Sequence, residues 1–158
     1  MNIQIRPGTA SDLPAVHGLI MELAEYERAP EEVSLSLEQL ISDGKLDNPL
    51  YRFLVAESDT IISGIALYYF GYSTWKGKLM YLDDLIVTED KRKLGIGKLL
   101  FDELMRIAKQ EDARQIRWHV LDWNDPAIKF YEKLEAELDP EWICGKLSEA
   151  QIQLGPIN

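Results

Sequence analysis

Apolar residues recur along the chain at two spacings, one typical of helices and one typical of strands. The helical spacing occurs in four segments: 9–27, 36–44, 95–111 and 124–136. Runs rich in β-branched and aromatic residues predict five strands: 3–6, 51–57, 61–72, 78–87 and 114–121. We expect the C-terminal segment 141–154 to supply one more strand or a hairpin.

The signals between these segments predict how the elements start and connect. Residues 73–77 join two long strands, so we expect an antiparallel pair there. Thr9 and Asp12 form a capping-box-like start for the first helix, and Asn124 or Asp125 is expected to cap the last one. The resulting order, βααβββαβαβ, predicts an α/β fold with a mixed sheet.

Composition places the chain among globular proteins, since hydrophobic residues make up 46% of it. Its length of 158 residues predicts one domain over 1–158. No apolar run approaches the roughly 20 residues of a membrane span, and the N-terminus lacks the layout of a signal peptide. The single cysteine, Cys144, can form no internal disulfide. We therefore expect a cytoplasmic protein.

The formal net charge of −10 argues against a nucleic acid or an anionic membrane as a partner. It fits a small cationic substrate, although many cytoplasmic proteins are simply acidic. Positive charge is nevertheless concentrated in EDKRKLGIGKLL (89–100), where four cations surround Gly-Ile-Gly. A strand, a glycine turn and a helix direct backbone N–H groups and a helix dipole at an anion. The plainer alternative is a helix start that merely tolerates glycine.

Two common nucleotide-binding motifs are excluded by the residues around the glycines. A loop of the type G-x-x-x-x-G-K-S/T would require Ser or Thr at the position of Leu99. The dinucleotide fingerprint G-x-G-x-x-G would require glycine at the position of Leu100. The turn therefore favours another phosphate-rich ligand.

The sequence RKLGIG (92–97) resembles the R/Q-x-x-G-x-G/A turn of the GNAT superfamily of N-acetyltransferases. The segments 77–87 (GKLMYLDDLIV) and 123–133 (WNDPAIKFYEK) resemble its spermidine/spermine (diamine) and thialysine N-acetyltransferase branch, and the similarity extends from about Ile3 to Trp142. This resemblance implies a mixed, mostly antiparallel sheet flanked by helices, the acyl-CoA N-acyltransferase fold. It also implies a homodimer that uses acetyl-CoA to acetylate a small polyamine or lysine-like amine.

The same resemblance implies where acetyl-CoA binds. The backbone of 85–87 pairs with the pantetheine arm, and the N–H groups of 93–98, helped by Arg92, bind the pyrophosphate. The start of the last helix also contacts the cofactor, with Tyr131 two turns beyond Asn124. The full predicted set is Leu85, Ile86, Val87, Arg92, Lys93, Leu94, Gly95, Ile96, Gly97, Lys98, Asn124, Asp125, Pro126, Ala127 and Tyr131.

Two residues are assigned chemical roles by the resemblance. Tyr131 is the acid that protonates the leaving thiolate, and Asp83 takes the proton of the amine through water. Adjacent strand residues point to opposite faces, so we expect only one carboxylate of the Asp83–Asp84 pair to face the reacting centre. The alternatives are a buried core tyrosine and a capping or surface acid. The branch usually has Glu at position 83.

Six residues are expected by resemblance to line the amine site: Tyr26, Glu27, Asp83, Arg117, Trp118 and His119. Strand alternation would place Trp118 on one face and Arg117 and His119 on the other. The chain departs from the family pattern at Glu135, where the family commonly has glycine. Two histidines and one cysteine, far apart in sequence, predict no metal site.

Two alternative functions remain open on the sequence. Within the same class, the acceptor could be an amino acid, an antibiotic amine or a protein N-terminus. In another class, the chain could be a non-catalytic acyl-CoA-binding module. Tyr131 and Asp83 argue against the module, because binding alone requires neither residue.

Overall fold

The computed structural model describes residues 2–45 and 47–156, which form two compact units divided after His119. The first unit contains five strands: β1 Gln4–Pro7, β2 Arg52–Ser58, β3 Ile61–Ser73, β4 Gly77–Val87 and β5 Gln115–Arg117. It also contains three α-helices: α1 Leu13–Tyr26, α2 Leu37–Gly44 and α3 Ile96–Gln110. The second unit contains two helices: α4 Asp125–Lys133 and α5 Glu149–Leu154.

The five strands form one mixed sheet in the order β1-β2-β3-β4-β5. Neighbouring strands are antiparallel from β1 to β4, and only β5 runs parallel to its neighbour β4. The antiparallel β3–β4 pair predicted across 73–77 is confirmed, with Ser73 opposite Gly77 at its end. The predicted fold class, a mixed and mostly antiparallel sheet flanked by helices, is therefore confirmed.

One face of the sheet packs against α1 and α2. The apolar spacing of α1 brings Leu13, Val16 and Leu19 into contact with a core that the sheet completes. The other buried members of this cluster are Leu40, Val55, Ile65 and Ile86. Burying each of these aliphatic side chains stabilises the fold by about 1.5–3 kcal/mol, so this stripe fixes α1 over the middle of the sheet.

The opposite face packs against α3, and the approach is close at Gly64 of β3. A methyl group at that position would lie 3.2 Å from side-chain atoms of both Ile96 and Leu100, and 3.0 Å from the carbonyl oxygen of Ile86. Glycine there allows the first turn of α3 to lie directly against the strands. The start of α3 is thus held against the sheet at a fixed place.

Two predicted helix starts are confirmed in detail. The Thr9 N–H donates to Asp12 Oδ2 at 2.7 Å, at a short 3₁₀ turn that leads into α1. Asn124 caps α4, because its side-chain oxygen accepts a hydrogen bond from the Ala127 N–H. Pro126 lies in the first turn of α4, where a missing N–H costs no helical bond.

Two predictions for the chain after α3 need correction. Strand β5 covers Gln115–Arg117 rather than 114–121. The predicted strand or hairpin over 141–154 is wrong, since α5 forms at Glu149–Leu154 and the described residues after Arg117 contain no strand. A capping box explains the helix: the Ser148 N–H donates to Gln151 Oε1, and the Gln151 N–H donates back to Ser148 Oγ.

None of the helices found in residues 2–45 and 47–156 combines the length and the apolar character required to cross a bilayer.

Candidate active site

The glycine turn lies between the end of β4 and the start of α3. Lys93 and Gly95 both have positive φ angles, 64° and 83°, the left-handed backbone conformation typical of tight turns. The Leu99 N–H donates to the Gly95 carbonyl at 3.1 Å and begins the helical bonding pattern. The three preceding N–H groups, at 96–98, stand at the positive end of α3, where a helix provides them with no acceptor. This geometry suits a phosphate group.

Arg92 is anchored to protein groups beside this turn. Its Nε donates to the Val87 carbonyl at 3.0 Å, and its guanidinium lies 4.7 Å from the ring centre of Tyr26 on α1. Glu22, also on α1, accepts from the Glu89 N–H at 3.0 Å and lies 3.9 Å from Arg92 Nη2. Arg92 and Glu22 therefore tie the turn to α1, which is a structural role that the sequence did not reveal.

The predicted pantetheine-binding segment 85–87 lies at the end of β4. One edge of it pairs with β3, where Ile86 is opposite Ile65. On the other edge, the ladder to β5 covers only Leu79–Tyr81. Among the described strands, none covers that edge of β4 beyond Tyr81. A ligand with amide groups can add to such an edge as an extra strand would.

A β-bulge at Asp83 changes the faces on which the acidic pair lies. Tyr68 on β3 is opposite Leu82, whereas Leu67, the residue before it, is opposite Asp84. Asp83 is therefore the extra residue of the bulge, which interrupts the alternation of β4. Alternation therefore does not decide on which face Asp83 lies, because it requires a regular strand.

The bulge also assigns Asp84 to a definite face of the sheet. Tyr81 is opposite Tyr69 and Asp84 is opposite Leu67. Since Leu67 and Tyr69 are two apart on a regular strand, their side chains and those of their partners share one face. Ile65 lies on that face as well, and it packs in the core under α1. Asp84 thus faces the side of the sheet that α1 covers.

The carboxylates of the predicted amine site influence one another. Burial, together with the negative charges of Asp83 and Glu27, raises the pKa of Asp84 to about 7. Burial also raises the pKa of Glu27, which ends α1. The structure therefore brings the end of α1 to the bulge of β4, and one of these carboxyl groups holds a proton up to neutral pH.

The segment after β5 is arranged as alternation predicted. Trp118 makes an edge-to-face contact with Phe101 of α3, with ring centres 5.6 Å apart. His119 instead forms a hydrogen bond through Nδ1 with the Tyr81 hydroxyl on β4. Arg117 is opposite Tyr81 in the parallel ladder and so shares its face. His119 and Arg117 thus lie on the carboxylate side, and Trp118 packs on the other.

The second unit contains the remaining predicted residues. Tyr131 is buried and makes an edge-to-face contact with Phe130 at 5.3 Å between ring centres. Asn124 is also buried and caps α4, and 125–127 form the first turn of that helix. Both the acid role and the core role considered for Tyr131 are compatible with this burial.

Sequence reasoning missed two residues of the first unit that lie at the carboxylates. Asp84 was assigned to the opposite face, because a bulge leaves no clear signal in a single sequence. Tyr81 was not singled out, although it contacts His119 and stacks on Tyr69 at 5.1 Å between ring centres. A tyrosine two residues before the acidic pair was the available signal.

A cavity of about 410 Å³ lies elsewhere in the first unit, lined in part by Thr9, Ile41, Tyr51 and Phe53. It includes none of the predicted site residues. Charge and backbone geometry, rather than cavity volume, therefore identify the candidate site. Within the described residues, no group of three or more His, Cys, Asp or Glu side chains is arranged to hold a metal ion.

Comparison with protein families matches residues 14–135 to the acetyltransferase (GNAT) family. A thialysine N-epsilon-acetyltransferase of Bos taurus is 38% identical over 143 residues, covering 85% of this chain and 84% of that protein. A spermidine/spermine N(1)-acetyltransferase-like protein 1 of Homo sapiens is 37% identical over 135 residues, covering 81% of this chain and 19% of that protein.

A likeness to solved structures agrees with the fold. An integron cassette protein from the mobile metagenome of V. cholerae matches with a TM-score of 0.79 and 22% sequence identity. The match covers 98% of this chain and 97% of that one. At this identity, the likeness establishes the shared architecture of the sheet and helices.

Proposed function

Because the chain belongs to the acetyltransferase (GNAT) family, we propose that it transfers the acetyl group of acetyl-CoA directly to a primary amine of a small polyamine or thialysine-like substrate. The reaction class follows from the family, whose members use acetyl-CoA as co-substrate. The acceptor is the proposal, and the names of the two related enzymes support it.

The observation that carries this proposal is the cluster of Glu27, Asp83 and Asp84. The three carboxyl groups lie close enough for the charges of Glu27 and Asp83 to raise the pKa of Asp84. Negative charge concentrated around a partly buried carboxyl group is costly unless a cation or a proton compensates it. An acceptor with two amino groups supplies such a cation at one end and the reacting amine at the other.

The turn and the adjacent strand edge fit the parts of acetyl-CoA. The N–H groups of 93–98 at the start of α3 suit the pyrophosphate, and the unpaired edge of β4 at 85–87 suits the amide groups of the pantetheine arm. When bound, acetyl-CoA supplies a thioester carbonyl that a neutral amine can attack. We assign Arg92 to holding the turn in place for this binding, through its bond to Val87.

Two proton transfers complete the proposed chemistry. The acceptor must lose a proton, since an alkyl ammonium has a pKa of about 10.4 in water. Asp83 is proposed to receive this proton through water, and Tyr131 is proposed to give a proton to the departing thiolate. Asn124 and the first turn of α4, Asp125 to Ala127, are proposed to contact the cofactor.

The remaining proposals concern the setting of the enzyme. We propose a cytoplasmic homodimer, built from one acetyltransferase domain over 1–158, that has neither a nucleic acid nor a membrane as partner. The net charge of −10 and the single cysteine support the cytoplasmic setting and the absence of polyanionic partners.

An amine panel analysed by mass spectrometry tests the proposed function. The panel contains diamines, polyamines, thialysine, an α,ω-diamino acid, an aminoglycoside and a peptide with a free N-terminus, each incubated with acetyl-CoA. We expect the mass of one acetyl group to be added to polyamines or thialysine first. Preferred acetylation of another member would replace the acceptor class. Binding of acetyl-CoA without acetylation of any amine would instead indicate a non-catalytic module.

A further inference from the structure

A short 3₁₀ turn, Glu89–Lys91, leads from β4 into the glycine turn. The Thr88 N–H, just before it, donates to the Ser63 carbonyl of β3 at 2.9 Å and so ties this segment to the sheet. The next N–H group, that of Glu89, is at the first position of the 3₁₀ turn, where the turn itself provides no acceptor. Glu22 Oε1 on α1 accepts this hydrogen bond at 3.0 Å. The segment before the glycine turn is thus held by the sheet and by α1.

The glycine turn itself is not closely packed at Gly95, where a methyl group would meet no atom within 4 Å. On its C-terminal side the turn is fixed by Ile96, which is buried and packs closely against the sheet at Gly64. On its N-terminal side the turn continues directly from the 3₁₀ turn. The N–H groups at 93–95 therefore depend for their positions on how that 3₁₀ turn is held.

Glu22 makes a second and weaker contact, with the side chain of Arg92. Its Oε1 lies 3.9 Å from Arg92 Nη2, and the two side chains are 37% and 34% exposed. A pair this long and this exposed contributes little, because water and salt screen it. The hydrogen bond to the Glu89 N–H has an ordinary length and satisfies a backbone donor. Of the two contacts of Glu22, the hydrogen bond should therefore have the larger effect.

We infer that Glu22 is a positioning residue for acetyl-CoA: its hydrogen bond to the Glu89 N–H holds the 3₁₀ turn against α1 and so keeps the N–H groups at 93–95 in place for the pyrophosphate. This inference rests on the proposed use of acetyl-CoA. Glu22 acts through the backbone of the turn and not on the reacting atoms. Its negative charge alone disfavours a polyanion nearby. The hydrogen bond and the charge thus have opposite effects on binding, and variants can separate them.

Glu22→Gln and Glu22→Ala separate the two effects. Both remove the charge, whereas only glutamine keeps a side-chain oxygen that can accept from the Glu89 N–H. We expect acetyl-CoA, measured by calorimetry, to bind Glu22→Ala about 3–10-fold more weakly than Glu22→Gln, as is typical for the loss of one hydrogen bond. The KM for acetyl-CoA should differ by a similar factor, with little difference in kcat at saturating acetyl-CoA. A role in stability alone would lower the unfolding temperature without changing the affinity.

Amide hydrogen exchange tests the contact itself in the protein without ligand. The Glu89 N–H should exchange faster in Glu22→Ala than in Glu22→Gln, because only the alanine variant leaves it without its acceptor. Equal exchange rates of this amide in the two variants would overturn the inference.

Glu25 provides the matched control, because it is an exposed glutamate on the same helix. Glu25→Ala and Glu25→Gln should bind acetyl-CoA equally, which accounts for the different helix propensities of alanine and glutamine. Equal affinity of the two folded Glu22 variants, or tighter binding by Glu22→Ala, would overturn the inference. If the wild type bound no acetyl-CoA, the inference would fail together with the cofactor site. Binding of acetyl-CoA without acetylation of any amine would contradict the proposed function alone.

Discussion

At the scale of single residues, the carboxyl group of Asp84 should make the stability of the protein depend on pH. Its folded pKa of about 7 lies above the unfolded value near 3.8, so the folded state binds more protons between these limits. Stability should therefore fall as pH rises from about 4 to 7 and then level off. Asp84→Asn removes this dependence. We expect the variant to gain stability relative to wild type across that window, by on the order of 4 kcal/mol at pH 7.

Urea unfolding at pH 4 and at pH 7 measures this difference. Asp122→Asn, at an exposed position, serves as a control whose stability should follow that of the wild type at both pH values. If the stability of Asp84→Asn fell between pH 4 and pH 7 as much as that of the wild type, the Asp84 carboxyl group would not hold a proton in the absence of ligand.

Tyr131→Phe tests the proposed acid with a change of one hydroxyl group. Loss of a general acid typically lowers turnover about 10²–10⁴-fold, and we expect kcat to fall at the lower end, about 10²-fold. The ring remains, so the buried packing of Tyr131 and the affinity for acetyl-CoA should change little. Steady-state kinetics and calorimetry measure the two quantities. Turnover close to wild type would assign the proton to another donor or to solvent.

The sequence predicts the face of the sheet on which a side chain lies only where the strand is regular. Alternation correctly separated Trp118 from His119, because the segment after β5 keeps an extended alternation. It could not place Asp83 and Asp84, because one inserted residue shifts the alternation of β4 and leaves no clear mark in one sequence. The resemblance supplied the roles proposed for Asp83 and Tyr131, which geometry alone does not assign.

At the scale of elements, the start of α3 should carry the affinity for acetyl-CoA. Gly97 is the second residue of α3, beside the N–H groups proposed to bind the pyrophosphate. Gly97→Val places a branched side chain where phosphate oxygens approach the backbone, so we expect weaker acetyl-CoA binding. Calorimetry measures the affinity, and circular dichroism verifies that the variant is folded.

Gly18→Ala provides a matched glycine control within α1. A methyl group at Gly18 would meet no atom within 4 Å. Alanine in a helix interior is more stable than glycine by roughly 0.5–1 kcal/mol. This variant should therefore unfold at a higher temperature and bind acetyl-CoA like the wild type. Unchanged affinity in folded Gly97→Val would remove the turn from the cofactor site.

The elements most faithfully predicted are those whose periodic pattern coincides with a buried face. Helices α1 and α3 and the β3–β4 pair follow their apolar spacing closely, because each is packed in the core of the first unit. The segment 141–154 is exposed throughout, so burial imposes no strand on it. Its local capping box at Ser148 then determines the outcome, a short helix. The strand or hairpin predicted for 141–154 relied on apolar residues alone, and no packing buries them.

At the scale of the whole molecule, the positive and the negative charges suit two different ligands. The chain carries a formal charge of −10, yet 89–100 contains four of its 17 lysines and arginines. The positive turn suits a polyanionic cofactor, while the acidic remainder attracts a cationic acceptor. Long-range attraction of this kind is screened at physiological ionic strength within about 8 Å. Its effect should therefore be greatest at low salt.

The acceptor should accordingly be selected by its second positive charge. A diamine can place one ammonium against the carboxylates around Glu27 while its other amine is deprotonated near Asp83. Each exposed contact is worth about 0–1 kcal/mol and is weakened by salt. We therefore expect diamines and polyamines to be better substrates than monoamines of equal length. Added salt should raise KM for them far more than it lowers kcat.

Glu27→Gln should erode this preference, because it removes one negative charge from the cluster at the end of α1 without shortening the side chain. We expect the ratio of kcat/KM for a diamine to that for a monoamine to fall several-fold, mainly through KM. Glu38→Gln removes an equal charge from an exposed position of α2 and should leave the ratio unchanged. If both variants changed the ratio equally, net charge rather than the cluster would account for the preference. If wild type used monoamines, or amines with a distant carboxylate, equally well at low salt, the acceptor would not be a polyamine, and the acidity of the chain would serve solubility alone.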